Sequence, residues 1–346
     1  MNILSCPPLL GTTDRVLLAH GSGGKMSSDL LQKIFLPAFD NPILKALNDQ
    51  AVLNVGGARL AFTTDSFVVK PLFFPGGSIG DLSVNGTVND LAMAGATPLF
   101  LSAAFIIEEG FSLDMLSRVV DSLQRAARIA GVAVVTGDTK VVEKGAADGL
   151  FINTSGLGSV PPGVVLSADR ARPGDRVLLS GSIGDHGIAV MAQREGIEFE
   201  SAIVSDTASL HSLVAVMMRA SSEIRCMRDP TRGGVSSTCN EIATQSGVGM
   251  ELDESTILVR DEVRGACELL GLDPLYVANE GKLLAIVAPE AEERVLEAMH
   301  GHPLGRDATI VGRVTGEHRG LVTMRTSIGT TRIVDMLAGD QLPRIC

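Results

Sequence analysis

Residues 63–96 read TTDSFVVKPLFFPGGSIGDLSVNGTVNDLAMAGA. A hydrophobic strand ending on Asp65 gives way to an apolar helix, predicted over 79–94, that carries Asp90 among small side chains. On the N-terminal side, 51–55 and 58–64 alternate around Gly56-Gly57, a two-residue hairpin signal that makes part of the sheet antiparallel. Helices are predicted at 26–39 and at 113–130, the latter closed by Gly131, and strands at 99–107, 132–136 and 150–160. Pro161-Pro162-Gly163 then punctuates the chain near its middle. A second series follows: a strand at 175–180, a glycine-rich loop at 181–187, helices at 188–194, 233–246, 262–270 and 290–300, a strand at 283–288, and a β-like stretch at 309–334. No repeat of 20–50 residues is visible, which excludes a solenoid. The reading is α+β in two similar domains, 1–162 and 163–334, with a tail at 335–346 that ends on a cysteine.

The chain's 346 residues suit two domains, and 45% hydrophobic content excludes disorder. Lys plus Arg total 29 against 40 Asp plus Glu, a formal charge of −11, and there is one Tyr and no Trp. Phosphate neutralisation and base stacking both lack material, so no nucleic-acid partner is expected. The most apolar run, 91–107, is broken by Thr97, Pro98 and Ser102 and is too short to span a bilayer, so no membrane association is expected. The first residues carry no basic segment ahead of an apolar core, so no secretory signal is expected. Five cysteines (Cys6, Cys226, Cys239, Cys267, Cys346) make no CxxC pattern, which argues against a disulfide scaffold or zinc cluster and for the reducing cytoplasm.

Gly21-Ser22-Gly23-Gly24-Lys25 invites a phosphate-loop reading, but Ala19 and Met26 stand where a Walker A motif needs Gly and Ser or Thr. A glycine loop feeding a helix can still offer N–H groups to phosphate; an ordinary turn is the competing reading. The same pair of readings applies to 181–187, where His186 is expected to be a solvated turn residue. No HExxH-like spacing exists among the histidines, so transition-metal catalysis has no support. Asp65, Asp90, Asp138 and Asp229 carry more information. Asp65 and Asp138 are read at the ends of strands, Asp229 just after one, and Asp90 inside an apolar helix. Carboxylates so placed can converge as hard oxygen ligands for Mg²⁺ on a nucleotide, whereas singly each could merely cap a turn. Pro343-Arg344-Ile345-Cys346 leaves a thiol on the last residue, beside a carboxylate that disfavours its ionisation. Eleven residue steps from Asp335 reach roughly 36–40 Å when extended, enough to swing a group on that sulfur into a site.

Together these segments, HGSGGKMS (20–27), 63–96, TGDTKVVEKG (136–145), SGSIGDHGIAVM (180–191), RDPTRGGV (228–235), NEGKL (279–283) and terminal PRIC (343–346), resemble the HypE family of NiFe-hydrogenase maturation. The wider superfamily holds aminoimidazole ribonucleotide synthetase, selenophosphate synthetase and thiamine-monophosphate kinase. The resemblance implies a two-domain synthetase-like fold whose N-terminal sheet pairs across a homodimer. It implies ATP and Mg²⁺ as cofactors, a HypF-type carbamoyltransferase as donor and a HypC–HypD-type iron scaffold as acceptor. The implied reaction is ATP-dependent dehydration of a carbamoyl group on the sulfur of Cys346 to a thiocyanate. By the same resemblance Asp65, Asp90, Asp138 and Asp229 take Mg²⁺, and Asp49, Asp65, Asp90, Asp138, Gly137, Thr139 and Lys25 take ATP. Lys140 would bind phosphate or polarise the thiocarbamate, and Glu280 would remove protons. The rival readings are a small-molecule synthetase of the same superfamily, which needs no terminal cysteine, and a non-enzymatic thiol carrier, which leaves the acidic motifs unused.

Overall fold

The computed structural model describes residues 15–197, 199, 203–339 and 344–346. Helix α1 (Lys25–Leu30) loosens into a π turn at Leu31–Phe35 before α2 (Leu36–Ala38). Pro37, which has no N–H to donate, explains why the predicted 26–39 helix is irregular. Strands β1 (Ala51–Val55) and β2 (Ala58–Phe67) form the expected hairpin, with Val55 opposite Ala58. Gly56 and Gly57 both sit at positive φ, 57° and 86°, which an untwisted-strand turn would not need but this hairpin does. A small hairpin, β3 (Phe73–Phe74) and β4 (Gly77–Ser78), leads into α3 (Ile79–Met93), whose first turn is capped by Ser78. Next come β5 (Thr97–Glu108), α4 (Leu113–Ala130), β6 (Ala133–Val142) and β7 (Leu150–Ser159). The sheet order is β1-β2-β7-β5-β6; β5 and β6 are parallel across α4, and the other neighbours are antiparallel.

The second half contains β8 (Arg176–Leu179), α5 (Asp185–Glu195), α6 (His211–Ala220), β9 (Ile224–Arg228), α7 (Gly234–Ser246) and β10 (Gly249–Asp253). It ends with α8 (Asp261–Leu270), β11 (Leu284–Val287), α9 (Glu292–His300), β12 (Thr309–Thr315), β13 (Val322–Arg325) and β14 (Thr331–Ile333). These strands form one sheet, β14-β13-β10-β12-β8-β11-β9. Alternate residues enter two cores: Leu179 and Ile286 pack with α5, α7 and α8, while Leu178 and Ala285 pack with α6 and α9. Helices on both faces bury all of β11, which is why it reads as an unbroken apolar run.

Differences from the sequence reading follow from tertiary contacts. Helix α5 starts at Asp185, inside the stretch read as a glycine loop, and α6 was not anticipated. Strand β6 runs to Val142, so Asp138 lies mid-strand and not at a strand end; Asp65 likewise sits two residues inside β2. Helix α3 joins the halves: Asn85 Nδ2 donates to Thr207 Oγ1 at 3.1 Å, and Asn89 accepts from Leu210 N and donates to Ala208 O.

Candidate active site

The site begins where β2 lies over α3. Period-2 alternation turns Thr63 and Asp65 toward the helix. The Thr63 hydroxyl lies 2.6 Å from Asp90 Oδ2, and Gly86, one turn earlier, leaves room for the Phe67 ring, 3.0 Å from where a Cβ would stand. From the second half, Asp229 follows β9, and Arg228 Nε sits 2.7 Å from Asp49 Oδ1 with Nη2 2.7 Å from Glu241 Oε2. Glu280 precedes β11 and is buried; its N–H donates to Asp206 Oδ1, whose carboxylate also pairs with Lys282 at 3.1 Å. Asn279 fixes this loop, accepting from Gly184 N at 2.8 Å and donating to Pro230 O at 2.9 Å.

Five carboxylates thus share a desolvated region. Burial pushes Asp90 well above the usual carboxylate range, and Asp65, Asp229 and Asp49 push it further. Burial likewise holds Asp229 and Glu280 well up, and Asp65 is raised against the pull of Arg232. Asp49 rises to about 6 by burial although Arg228 pulls the other way. Buried Asp49 Oδ2 and Glu280 Oε1 make no hydrogen bond. Among the described residues no group of three or more His, Cys, Asp or Glu side chains is already gathered as a metal site. The oxygen-only donors, mutually repelling and partly unpartnered, nevertheless fit a hard cation such as Mg²⁺.

The end of the chain enters this region. Residues 344–346 run antiparallel to 68–70: Val68 N donates to Cys346 O at 3.0 Å and Lys70 N to Arg344 O at 3.2 Å. Arg344 O also accepts from Arg194 Nη2 at 2.7 Å, and the Arg344 guanidinium pairs with Asp148, which Lys70 shares. Ile345 is 3% exposed, packed among Phe67, Val69, Ile79 and Ile152. Burial pushes the Cys346 thiol up to about 12; Arg232 opposes this, while Glu280, Asp65 and Asp229 add to it. The docked sulfur is therefore a neutral thiol facing acids and one guanidinium.

The structure brings together Cys346, Glu280, Asp49, Asp65, Asp90 and Asp229. It separates Asp138 from them within the chain. Asp65 registers across the sheet with Thr154, Ala103 and then Gly137, so Gly137 lies three strands away, roughly 14 Å at ordinary strand spacing. Asp138, one residue further, has the opposite parity and points to the other face. It is exposed and pairs with Lys140 at 2.8 Å, so Gly137, Asp138, Thr139 and Lys140 do not join the acid cluster of their own chain. Lys25 is exposed at the start of α1, its N–H donating to Leu337 O. The glycine loops spend their N–H groups internally: Gly23 N on Ser27 Oγ, Ile183 N on Leu258 O, Gly184 N on Asn279. Close packing explains their glycines, since a Cβ on Gly23 would lie 2.5 Å from Arg232 O. His186 is fully buried, contrary to its reading as a solvated turn residue. Sequence reasoning also passed over Arg228 and Arg232, although two cations bracketing the acid in RDPTR was an available signal. Arg194 and Asn279 offered none.

Two layered halves with acids converging between them define the class, that of AIR synthase-related proteins. Residues 47–160 match the family model described as AIR synthase related protein, N-terminal domain, and 172–325 match its C-terminal domain. Within that class the chain belongs to the carbamoyl dehydratase HypE family. Carbamoyl dehydratase HypE of Rhizobium leguminosarum bv. viciae is 59% identical over 333 residues, 96% of this chain and 95% of that protein. Among solved structures, HypE in complex with ATP is 49% identical with a TM-score of 0.81, covering 96% of this chain and 100% of the other. A HypE–HypF complex is 50% identical with a TM-score of 0.85, covering 89% and 99%. No helix among the described residues is long and apolar enough to cross a membrane.

Proposed function

We propose that this chain uses ATP to dehydrate an S-carbamoyl group on its own Cys346 to a thiocyanate, the cyanide source for hydrogenase iron. The observation that carries this reading is the docked Cys346 beside Asp65, Asp229, Glu280 and Arg232. The thiocarbamate and ATP become thiocyanate, ADP, inorganic phosphate and a proton. The thiocarbamate oxygen is a poor leaving group until it receives the γ-phosphoryl, so the protein's task is positioning and charge stabilisation. Arg232, facing the sulfur and the acids, stabilises negative charge on the phosphorylated oxygen as the carbon–oxygen bond breaks. Glu280 takes a proton from the thiocarbamate nitrogen: burial and neighbouring acids make its ionised form a strong base. Asp49, Asp65, Asp90 and Asp229 would hold Mg²⁺, which supplies charge neutralisation for phosphates and carboxylates when bound. A synthetase acting on a free metabolite would have no use for a docked terminal tripeptide, and a passive carrier none for the acids.

The relative solved with ATP supports nucleotide binding, and the HypE–HypF complex supports a HypF-type carbamoyltransferase as donor. A HypC–HypD-type iron scaffold in the cytoplasm receives the cyano group. Residues 1–162, 163–334 and 335–346 act as nucleotide and dimer domain, second domain and substrate tail. The outer face of the N-terminal sheet shows Phe62, Phe100 and Ile106, each more than a third exposed, and a second copy would cover them. Asp138 and Lys140 lie on that outer side and so would serve a site only across such a dimer. The test is intact mass after incubation with the carbamoyl donor. Carbamoylation should add roughly 43 Da, and MgATP should then remove roughly 18 Da, the water lost in phosphate-assisted elimination. ATP turnover on a free metabolite with no adduct on Cys346 would overturn the assignment.

A further inference from the structure

His186 is a buried imidazole that the chemistry above leaves unused. Its Nε2 lies 2.9 Å from the Ile345 carbonyl oxygen and its Nδ1 2.8 Å from Ser205 Oγ. A carbonyl only accepts, so Nε2 carries the proton and Nδ1 must accept from the Ser205 hydroxyl. Ser205 is itself fixed, since its N–H donates to Pro75 O at 2.9 Å and its Oγ accepts from Thr207 N at 3.2 Å. The Phe74 ring meets the imidazole edge-on, centroids 5.5 Å apart at 87°. Every freedom of the ring is thereby removed, and its one outward donor meets the last carbonyl before the cysteine. Neighbouring tail contacts are different in kind. Those of Val68 and Lys70 come from the backbone, that of Arg194 is a charged guanidinium on the Arg344 carbonyl two residues from the sulfur-bearing residue, and the Arg344–Asp148 pair is solvent-exposed and weak.

We propose that His186, held in its Nε2–H tautomer by Ser205, is a positioning residue that latches the Ile345 carbonyl and thereby sets where the Cys346 sulfur stands. The inference rests on Cys346 being the group carrier, but its test reads docking and not dehydration, so the two ideas fail separately. The latch is neutral and direct. It holds the tail without placing another charge beside the acids, and its loss shifts the tail toward the undocked state.

Alkylation of Cys346 in the full-length protein, followed by mass of the C-terminal peptide, measures that shift. His186→Leu fills the volume without a donor and should raise the alkylation rate about tenfold, the effect of one lost buried hydrogen bond. His186→Gln, whose amide can donate to the same carbonyl, should restore much of the protection, which a merely space-filling role would not give. Equal protection in His186→Leu and wild type, with melting unchanged, overturns the latch. Should the variants fail to fold, nitrogen-15 NMR of the wild-type ring decides. A slowly exchanging Nε2 proton should be present in the full chain and lost in the chain ending at Pro343; its persistence there also overturns the proposal.

Discussion

Glu280 shows how much of a residue's role depends on surroundings that its own letter does not carry. In NEGKL it could have been a surface carboxylate; in the structure it is buried, raised by desolvation and faced by Asp229, Asp65 and Asp206. Glu280→Gln keeps the shape and removes the base. The carbamoyl adduct should still form on Cys346, while its MgATP-driven dehydration slows by about 10²–10⁴, the usual contribution of a general base. Intact mass against time checks this, and dehydration at the wild-type rate would dismiss Glu280. Of the carboxylates and the sulfur quoted in the motifs, Asp65, Asp90, Asp229, Glu280 and Cys346 come together, while Asp138 stays on the other face of the sheet. His186 escaped because a histidine between glycines has no signature of burial until its ring is seen against Phe74 and Ser205.

At the scale of elements, the loop before β11 and helix α8 make a contrast that steric space alone decides. A Cβ on Gly281 would stand 1.8 Å from Asp206 O, whereas one on Gly265 in α8 would meet nothing within 4 Å. Gly281→Ala should therefore destabilise by roughly 1–3 kcal/mol, as overpacking does, and disturb the adjacent Glu280. Gly265→Ala should stabilise by about 0.5–1 kcal/mol through the helix interior and the unfolded chain. Urea unfolding of the two variants reads both signs. The hairpin of β1 and β2 and the helix α4 were legible because their signals are local: Gly56-Gly57, and a Ser112 cap with Gly131 at φ 68°. The extent of β6 was not, because whether Asp138 ends a strand depends on pairing with β5, 34 residues earlier in the register Ala104 to Asp138.

For the whole molecule, the acid cluster sets stability against function. Asp49, Asp90, Asp229 and Glu280 have folded-state values above their unfolded ones, so the folded chain binds more protons between the two. Stability therefore falls as pH rises through that window, from about 4 to about 6 for Asp49 and in the same direction for the others. His186, held down by burial, acts oppositely, its contribution being present above about 6.5 and lost as pH falls. Asp229→Asn should then raise the metal-free melting temperature more at about pH 8 than at about pH 4.5, and abolish dehydration. An increment independent of pH would refute the linkage. Dimerisation supplies a second test at this scale. Ile106→Asp on the outer sheet face should convert a dimer to monomers in sedimentation, and a monomeric wild type would remove the dimer reading.

By itself the sequence determined the class of the fold, and its motifs, taken together and in order, carried the resemblance to the HypE family. The fold class follows from periodicity and turn chemistry, which are local, whereas the family membership follows from whole motifs matched residue by residue. Only tertiary structure decided which acids meet. Asp65 and Asp138 look alike along the chain, but the two-residue period of a strand and the register of four paired strands send them to opposite faces. It also decided that residues 344–346 lie along 68–70 with Ile345 in the core, because burial and pairing over some 276 residues of separation are properties of packing that no local spacing encodes.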